Sequence, residues 1–184
     1  FLYPSRIVPE KRFGIAIEAF KRFYAKVKAK DKKRWKLVIA GYVHDTEREH
    51  KYLAELKEIS KGYSIEFRTN LTEKELRSLY ANCYSTLFSA INEDWGLIPL
   101  ESMASSKPCI SIDEGGPRYS IVDGKTGFLV GDTKHMADKM VKLAEDQTLN
   151  EKMGKEGRKR VVQNYTWKIF LSKLKKKFKE VSKK

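Results

Sequence analysis

Short apolar runs alternate with helix-patterned stretches along most of this chain, and that alternation restricts its fold more than any other feature. The runs lie at residues 1–5, 37–40, 64–68, 85–88, 109–112 and 127–130, each bounded by polar or glycine-rich segments. Runs of this length read as strands, and the earlier ones are continuous rather than alternating, as in a parallel sheet covered on both faces. Between them, Phe13, Ile17, Phe20 and Tyr24 recur at helical spacing, which places all four on a buried stripe. Tyr52, Leu53, Leu56 and Ile59 mark a second helix. Thr72 with Glu75 forms a capping box ahead of Leu76, Leu79 and Tyr80. A β-α-β-α rhythm predicts an α/β fold, a doubly wound parallel sheet of about six strands with helices on both faces. After Val130 no further strand is indicated; residues 135–144, 149–162 and 167–181 read as successive helices. The expected division is one domain over residues 1–165 and a basic C-terminal helix over 166–184.

The 184 residues carry 38 Lys and Arg against 24 Asp and Glu, a net charge of +14 that invites a nucleic-acid reading. Its distribution argues otherwise. Residues 152–184 hold 13 basic and 2 acidic residues, and residues 21–36 hold 9 and 1, so the remainder is net −5. Basic helices of this kind fit an anionic membrane surface. A hydrophobic content of 41% excludes a disordered chain, and two cysteines exclude a disulfide framework. No apolar run approaches the length of a membrane span, and no leader is visible, so the expected location is cytoplasmic, peripheral at the membrane face. The chain opens Phe1-Leu2-Tyr3 without Met, as a segment of a longer protein would.

In doubly wound sheets, ligands bind beyond the carboxyl ends of the strands. The first strand runs into a loop containing Arg6 and Lys11, two cations just ahead of a helix and suited to a diphosphate. There is no G-x-G-x-x-G and no Walker A sequence. After the fourth strand comes Asn92-Glu93-Asp94-Trp95-Gly96-Leu97-Ile98-Pro99-Leu100-Glu101. Pro99 suits a first helical turn, which would contain Glu101, while Glu93 falls in the preceding loop. The two carboxylates then span a ligand, and carboxylates accept sugar hydroxyls well. Gly96 permits close approach of the backbone to an anion. Two further strand ends carry Asp113-Glu114-Gly115-Gly116-Pro117 and Asp123-Gly124-Lys125-Thr126.

Taken in order, R-x4-K, E-x7-E enclosing W-G-L-x-P-L, M-A-x-x-x-P, E-G-G-P and D-G-x-T-G-F-L-V resemble the C-terminal, nucleotide-sugar-binding domain of retaining GT-B glycosyltransferases of family 4, the group 1 glycosyl transferases. The resemblance covers residues 1–165. It implies a Rossmann-like half of a GT-B fold whose donor is a nucleotide-diphosphate sugar. Arg6 and Lys11 match the basic pair that holds the diphosphate. Glu93 matches the carboxylate facing the donor sugar and is the implied catalytic residue. Gly96, Leu97 and Ile98 match the backbone that meets phosphate and sugar, and Glu101 matches the residue that hydrogen-bonds the ribose. Gly41 and Leu71 occupy loops that in the family lie near donor or base. No metal or other cofactor is implied, the cations standing in for Mg²⁺. The implied partners are a nucleotide sugar, an N-terminal acceptor domain of the same protein that is absent from this chain, and a glycan or lipid-linked acceptor, with mannose one candidate for the sugar. The sequence departs from the family pattern at Ser106, usually Gly, near Tyr119, often Glu, and at Asp94-Trp95-Gly96, commonly Gly-Phe-Gly.

His44, His50 and His135 are too scattered for a metal site, and only His44 lies in a strand-end loop. Cys83 and Cys109 read as small buried residues. In the family the final helix crosses toward the N-terminal domain, which makes Trp167 and Phe170 interface anchors; packing against their own core is the competing reading. Two alternatives to a transferase domain remain at this level. One is a nucleic-acid-binding module using Tyr24, Trp35 and Phe178 beside the basic patches. The other is a non-catalytic nucleotide-sugar-binding scaffold.

Overall fold

The computed structural model describes residues 1–182. Six strands pair in parallel throughout: β1 (Leu2–Pro4), β2 (Leu37–Gly41), β3 (Ile65–Thr69), β4 (Thr86–Phe88), β5 (Cys109–Ile112) and β6 (Gly127–Val130). Their order in the sheet is β3-β2-β1-β4-β5-β6. The chain builds outward from β1 to β3, then returns to the far side of β1 and builds outward again to β6. The point of reversal, between β1 and β4, is where an open α/β sheet parts its loops and leaves a crevice. All three residues of β1 are buried, as its central position requires. The edge strand β3 departs from the expected apolar run: Ile65 and Phe67 are half-buried against the core, while Arg68 and Thr69 are exposed.

The helices are α1 (Phe13–Lys26), α2 (Glu47–Ile59), α3 (Glu73–Asn82), α4 (Leu97–Ala104), α5 (Pro117–Ser120), α6 (Thr133–Glu145), α7 (Gln147–Asn164) and α8 (Trp167–Val181). α1 packs on α2 and α6, and α4 packs on α5 and α7. The stripe of α1 buries Phe13, Ile17 and Phe20 and adds Phe23, each such side chain contributing about 1.5–3 kcal/mol. Tyr24, expected among them, is only half-buried. Its ring meets Tyr63 edge-on, and Lys32 Nζ lies 5.0 Å from its centre. The capping box of α3 forms as expected, with the Thr72 side chain accepting from the Glu75 N–H and Glu75 accepting from the Thr72 N–H.

Glycines fix two close contacts. A Cβ on Gly154 of α7 would lie 2.0 Å from the Ser106 carbonyl oxygen, and one on Gly157 would lie 2.8 Å from Met103 Cγ, so α7 rides directly on the end of α4. Ser106 itself has φ of 58°, a left-handed conformation that glycine enters freely. Among the described residues, every buried side-chain nitrogen and oxygen finds a hydrogen-bond partner.

α8 follows a break at Thr166, whose hydroxyl caps it by accepting from the Ile169 N–H. None of its residues is buried. Trp167, Phe170, Leu171, Leu174, Phe178 and Val181 are all exposed, and they fall within an arc of about 100° around the helix. Trp167 and Phe170 therefore are not core residues of this domain.

Candidate functional site at the carboxyl edge of the sheet

Beyond β1, the chain turns through a short 3-10 segment, Pro9–Lys11, and reaches α1 through Arg12, whose φ is 52°. That strained passage is held from below. The hydroxyl of Tyr3, fully buried in β1, donates to the Lys11 carbonyl. Ser89, just past β4, donates its N–H to the Tyr3 hydroxyl at 3.1 Å, and its Oγ lies 3.1 Å from the Lys11 carbonyl and 2.9 Å from that of Arg12. Burial holds the Tyr3 hydroxyl well above the ordinary phenol range, so it remains a donor. The two strands flanking the reversal point thus fix the backbone of Lys11, and its side chain projects to Glu93, with Nζ 2.5 Å from Oε2. Both side chains are about a quarter exposed, which leaves the pair open to an incoming anion.

Glu93 belongs to the loop joining β4 to α4, as expected. Its carbonyl accepts from the Gly116 N–H at 2.7 Å. A Cβ on Gly115 would lie 2.5 Å from that same carbonyl oxygen, and one on Gly116 would lie 2.2 Å from the Trp95 backbone. The Gly115-Gly116 pair is the bed on which the Glu93 loop lies. Gly96, with φ of 70°, is buried at the N-terminus of α4. Leu97 and Ile98 open that helix, so their N–H groups belong to the first turn, which has no intrahelical acceptors. Such an end attracts negative charge. The helix starts at Leu97, so Pro99 is its third residue and Glu101 its fifth. Glu101 therefore stands two residues deeper than expected, in the second turn, because the left-handed Gly96 starts the helix earlier. Its Oε2 accepts from the Tyr80 hydroxyl at 2.5 Å.

Gly41 closes β2 against the first loop. A Cβ there would lie 1.7 Å from the Ser5 carbonyl oxygen, immediately before Arg6, and the Gly41 carbonyl accepts from Asn70 N–H. Arg6 is exposed beside Glu10 and Glu49. Glu10 is held below the ordinary carboxylate range chiefly by its own backbone N–H, and Glu49 chiefly by the His44 N–H, with Arg6 adding to both. Leu71 is half-buried against Leu2, Val38, Ala40 and Tyr80, so it packs under the site rather than projecting from it. The structure brings Lys11 and Glu93 into contact, sets Gly96 to Ile98 beside them, and places Arg6 with Gly41 and Glu101 with Tyr80 on flanking loops. Sequence reasoning did not single out Tyr3, Ser89 or Tyr80 for the site; a serine ending a strand and tyrosines on apolar stripes were the available signals.

His44 sits at this edge with Nδ1 2.9 Å from Glu49 Oε1, while His50 and His135 pair with Asp45 and Asp132. Among the described residues no group of three or more His, Cys, Asp or Glu is arranged to hold a metal ion. Burial pushes the Cys109 thiol up to about 12 and the half-buried Cys83 thiol up to about 11, far from nucleophilic use. Of the aromatics beside the basic patches, Trp35 stacks on Phe1 in the core and Tyr24 is half-buried, which leaves Phe178 exposed. A cleft of about 830 Å³ opens at the opposite, amino edge, lined by Lys28, Trp35, Cys83 and Lys107, and Arg6, Lys11, Glu93 and Glu101 are all absent from its lining. Strand ends and glycine loops converge at the carboxyl edge, which makes that edge the candidate site.

An open, doubly wound domain that holds a cation and a carboxylate together at its reversal point, beside a helix N-terminus, is one half of a GT-B architecture. The chain belongs to the family described as "Glycosyl transferases group 1", whose model matches residues 1–160. It is 33% identical over 184 residues to the alpha-1,3/1,6-mannosyltransferase ALG2 of Dictyostelium discoideum, covering 95% of this chain but 44% of that protein. The C-terminal domain of a group 1 glycosyl transferase, LpcC of Francisella tularensis, superposes with a TM-score of 0.75 at 25% identity, over 90% of this chain and 86% of that one. Anabaena HepE in complex with UDP-glucose superposes with a TM-score of 0.78 at 17% identity, over 98% of this chain and 49% of that one, a likeness of fold.

Proposed function

We propose that this chain is the donor-binding domain of a retaining hexosyltransferase that takes a sugar from a nucleotide-diphosphate sugar. The observation that carries the reading is the Lys11–Glu93 pair at the reversal point, beside the N-terminus of α4. On donor binding, Lys11 exchanges Glu93 for diphosphate oxygens, Arg6 adds a second cation, and the freed carboxylate of Glu93 faces the sugar. When the bond from the sugar's anomeric carbon to the phosphate oxygen breaks, its electron pair stays on the diphosphate, where the two cations and the first-turn N–H groups stabilise the growing charge. That set of positive groups does the work without a metal ion. Glu101 accepts from the ribose. Mannose is the candidate sugar, and a lipid-linked glycan the candidate acceptor; the first rests on the mannosyltransferase relative.

An N-terminal domain of the same protein supplies the acceptor site, and transfer occurs in the cleft between the two. The chain spans under half the length of that relative, and α8 carries an apolar stripe that its own domain leaves uncovered. The stripe packs on the acceptor domain. The lysines on the remaining arc, Lys168, Lys173, Lys176 and Lys179 among them, face an anionic membrane surface. Liposomes containing anionic phospholipid should retain the chain at low salt, and absence of retention rejects the membrane contact.

Calorimetry with UDP, GDP and ADP at millimolar concentration tests the central reading. One of the three should bind weakly, and Arg6→Ala or Lys11→Ala should weaken it by about tenfold or more. No binding of any of them overturns the reading. The chain alone should transfer no sugar; turnover by it would overturn the assignment of the acceptor site to another domain.

A further inference from the structure

We infer that Tyr80 is a positioning residue for Glu101 and sets the selectivity of this site for a ribose over a deoxyribose; the inference rests on the reading of Glu101 as the ribose acceptor. Glu101 is exposed on the second turn of α4, and a glutamate there has three freely rotating side-chain torsions. Among the described residues no Lys, Arg or His lies within ion-pair distance of its carboxylate, so Tyr80 is the group that orients it. Tyr80 is fixed. Only 5% of it is exposed, and its ring packs with Leu2, Val38 and Ala40 beneath the sheet edge. Its hydroxyl reaches from α3 to Glu101 Oε2 at 2.5 Å. Burial, reinforced by the neighbouring carboxylate, raises the hydroxyl well above the ordinary phenol range, so it donates at every physiological pH.

The consequence is geometric. A donor fixed on Oε2 sets the plane of the carboxylate and leaves Oε1 free to accept. A ribose presents two adjacent hydroxyls, and an acceptor already held in one plane meets them without losing side-chain freedom. Pre-ordering one such side chain is worth about threefold to tenfold in affinity. A 2′-deoxyribose offers one hydroxyl fewer and loses part of that advantage, so the tyrosine acts on the difference between the two sugars.

The test uses the 184-residue chain with whichever of UDP, GDP or ADP binds, and the matching 2′-deoxynucleoside diphosphate. The quantity read is the ratio of the two dissociation constants, in which any inactive fraction of a variant cancels. The unaltered chain should favour the ribonucleotide by about tenfold, as a hydrogen bond to a charged group would give. Glu101→Ala should bring the ratio to near one. Tyr80→Phe, which keeps the buried ring, should lower it to about threefold, and the double variant should match Glu101→Ala alone. A ratio unchanged in Tyr80→Phe but lost in Glu101→Ala overturns the role of Tyr80 and leaves the reading of Glu101 standing. A ratio unchanged in Glu101→Ala overturns both.

Discussion

The carboxyl edge of the sheet and the C-terminal helix are both rich in charge, yet the fold treats them in opposite ways. At the edge, Lys11, Glu93 and Glu101 are each held, through backbone or side chain, by buried groups or fixed backbone, while Arg6 stays exposed. Tyr3 and Ser89 grip the Lys11 carbonyl, Gly116 donates to the Glu93 carbonyl, and Tyr80 donates to Glu101. α8 carries six lysines and six exposed apolar side chains without burying one of its residues. Pinned charge gives a defined geometry, which chemistry at a single bond needs. Unpinned charge beside an apolar stripe gives a surface, which docking needs. The same chain therefore separates a region whose charges are held in place from one whose charges and apolar side chains are left exposed.

The sharpest way to break that contrast is to loosen the edge. In Gly41→Ala the new methyl would stand 1.7 Å from the Ser5 carbonyl oxygen, and neither backbone can yield without moving the Arg6 loop or β2. We expect a loss of about 3 kcal/mol in urea unfolding, with nucleotide binding lost beyond what the stability change explains. An unshifted midpoint would mean that the edge tolerates displacement. Ser89→Ala should act less. It removes the Oγ donor from the Lys11 and Arg12 carbonyls but leaves the Tyr3 hydroxyl in place, for a cost of about 1–2 kcal/mol. Its effect on nucleotide affinity should vanish in a Lys11→Ala background, measured as a double-mutant cycle by calorimetry.

These variants also mark where sequence and structure part company. All six strands fall within one residue of the runs that announced them; the five inner or buried ones do so because a buried parallel strand must be apolar on both faces, whereas the edge strand β3 shows only Ile65 and Phe67. The collinear motifs singled out Arg6, Lys11 and Glu93 in the loops after β1 and β4, and Glu101 on the helix that follows. What they did not contain was the support beneath. Tyr3 and Tyr80 read as core residues and are, but each also extends a hydroxyl out of the core to a site residue, a second role that periodicity does not register. Gly115 and Gly116 look like any turn pair; only the packing of the Glu93 loop against them shows that side chains would collide. Ser106 illustrates the converse. The departure from glycine was visible, and the reason glycine is usual there, a φ of 58°, needed the backbone.

The smallest expected effect tests the other side of the contrast. Trp167 and Phe178 are 78% and 65% exposed, so replacing both with serine removes little burial within this domain. Unfolding of the chain should shift by no more than about 0.5 kcal/mol, and nucleotide affinity should not change. Helix content is a finer probe. A 15-residue helix without a buried face is marginal in water, and Lys173–Lys177 and Lys175–Lys179 place like charges one turn apart. Thr166 caps its start, but the stripe has to be covered before the helix gains tertiary support. Circular dichroism of the chain should therefore show added helix when anionic liposomes are supplied. The serine variant should lose that gain while its body stays unchanged. A variant that destabilised the body instead would place α8 among the packed elements and erase the distinction between the two regions.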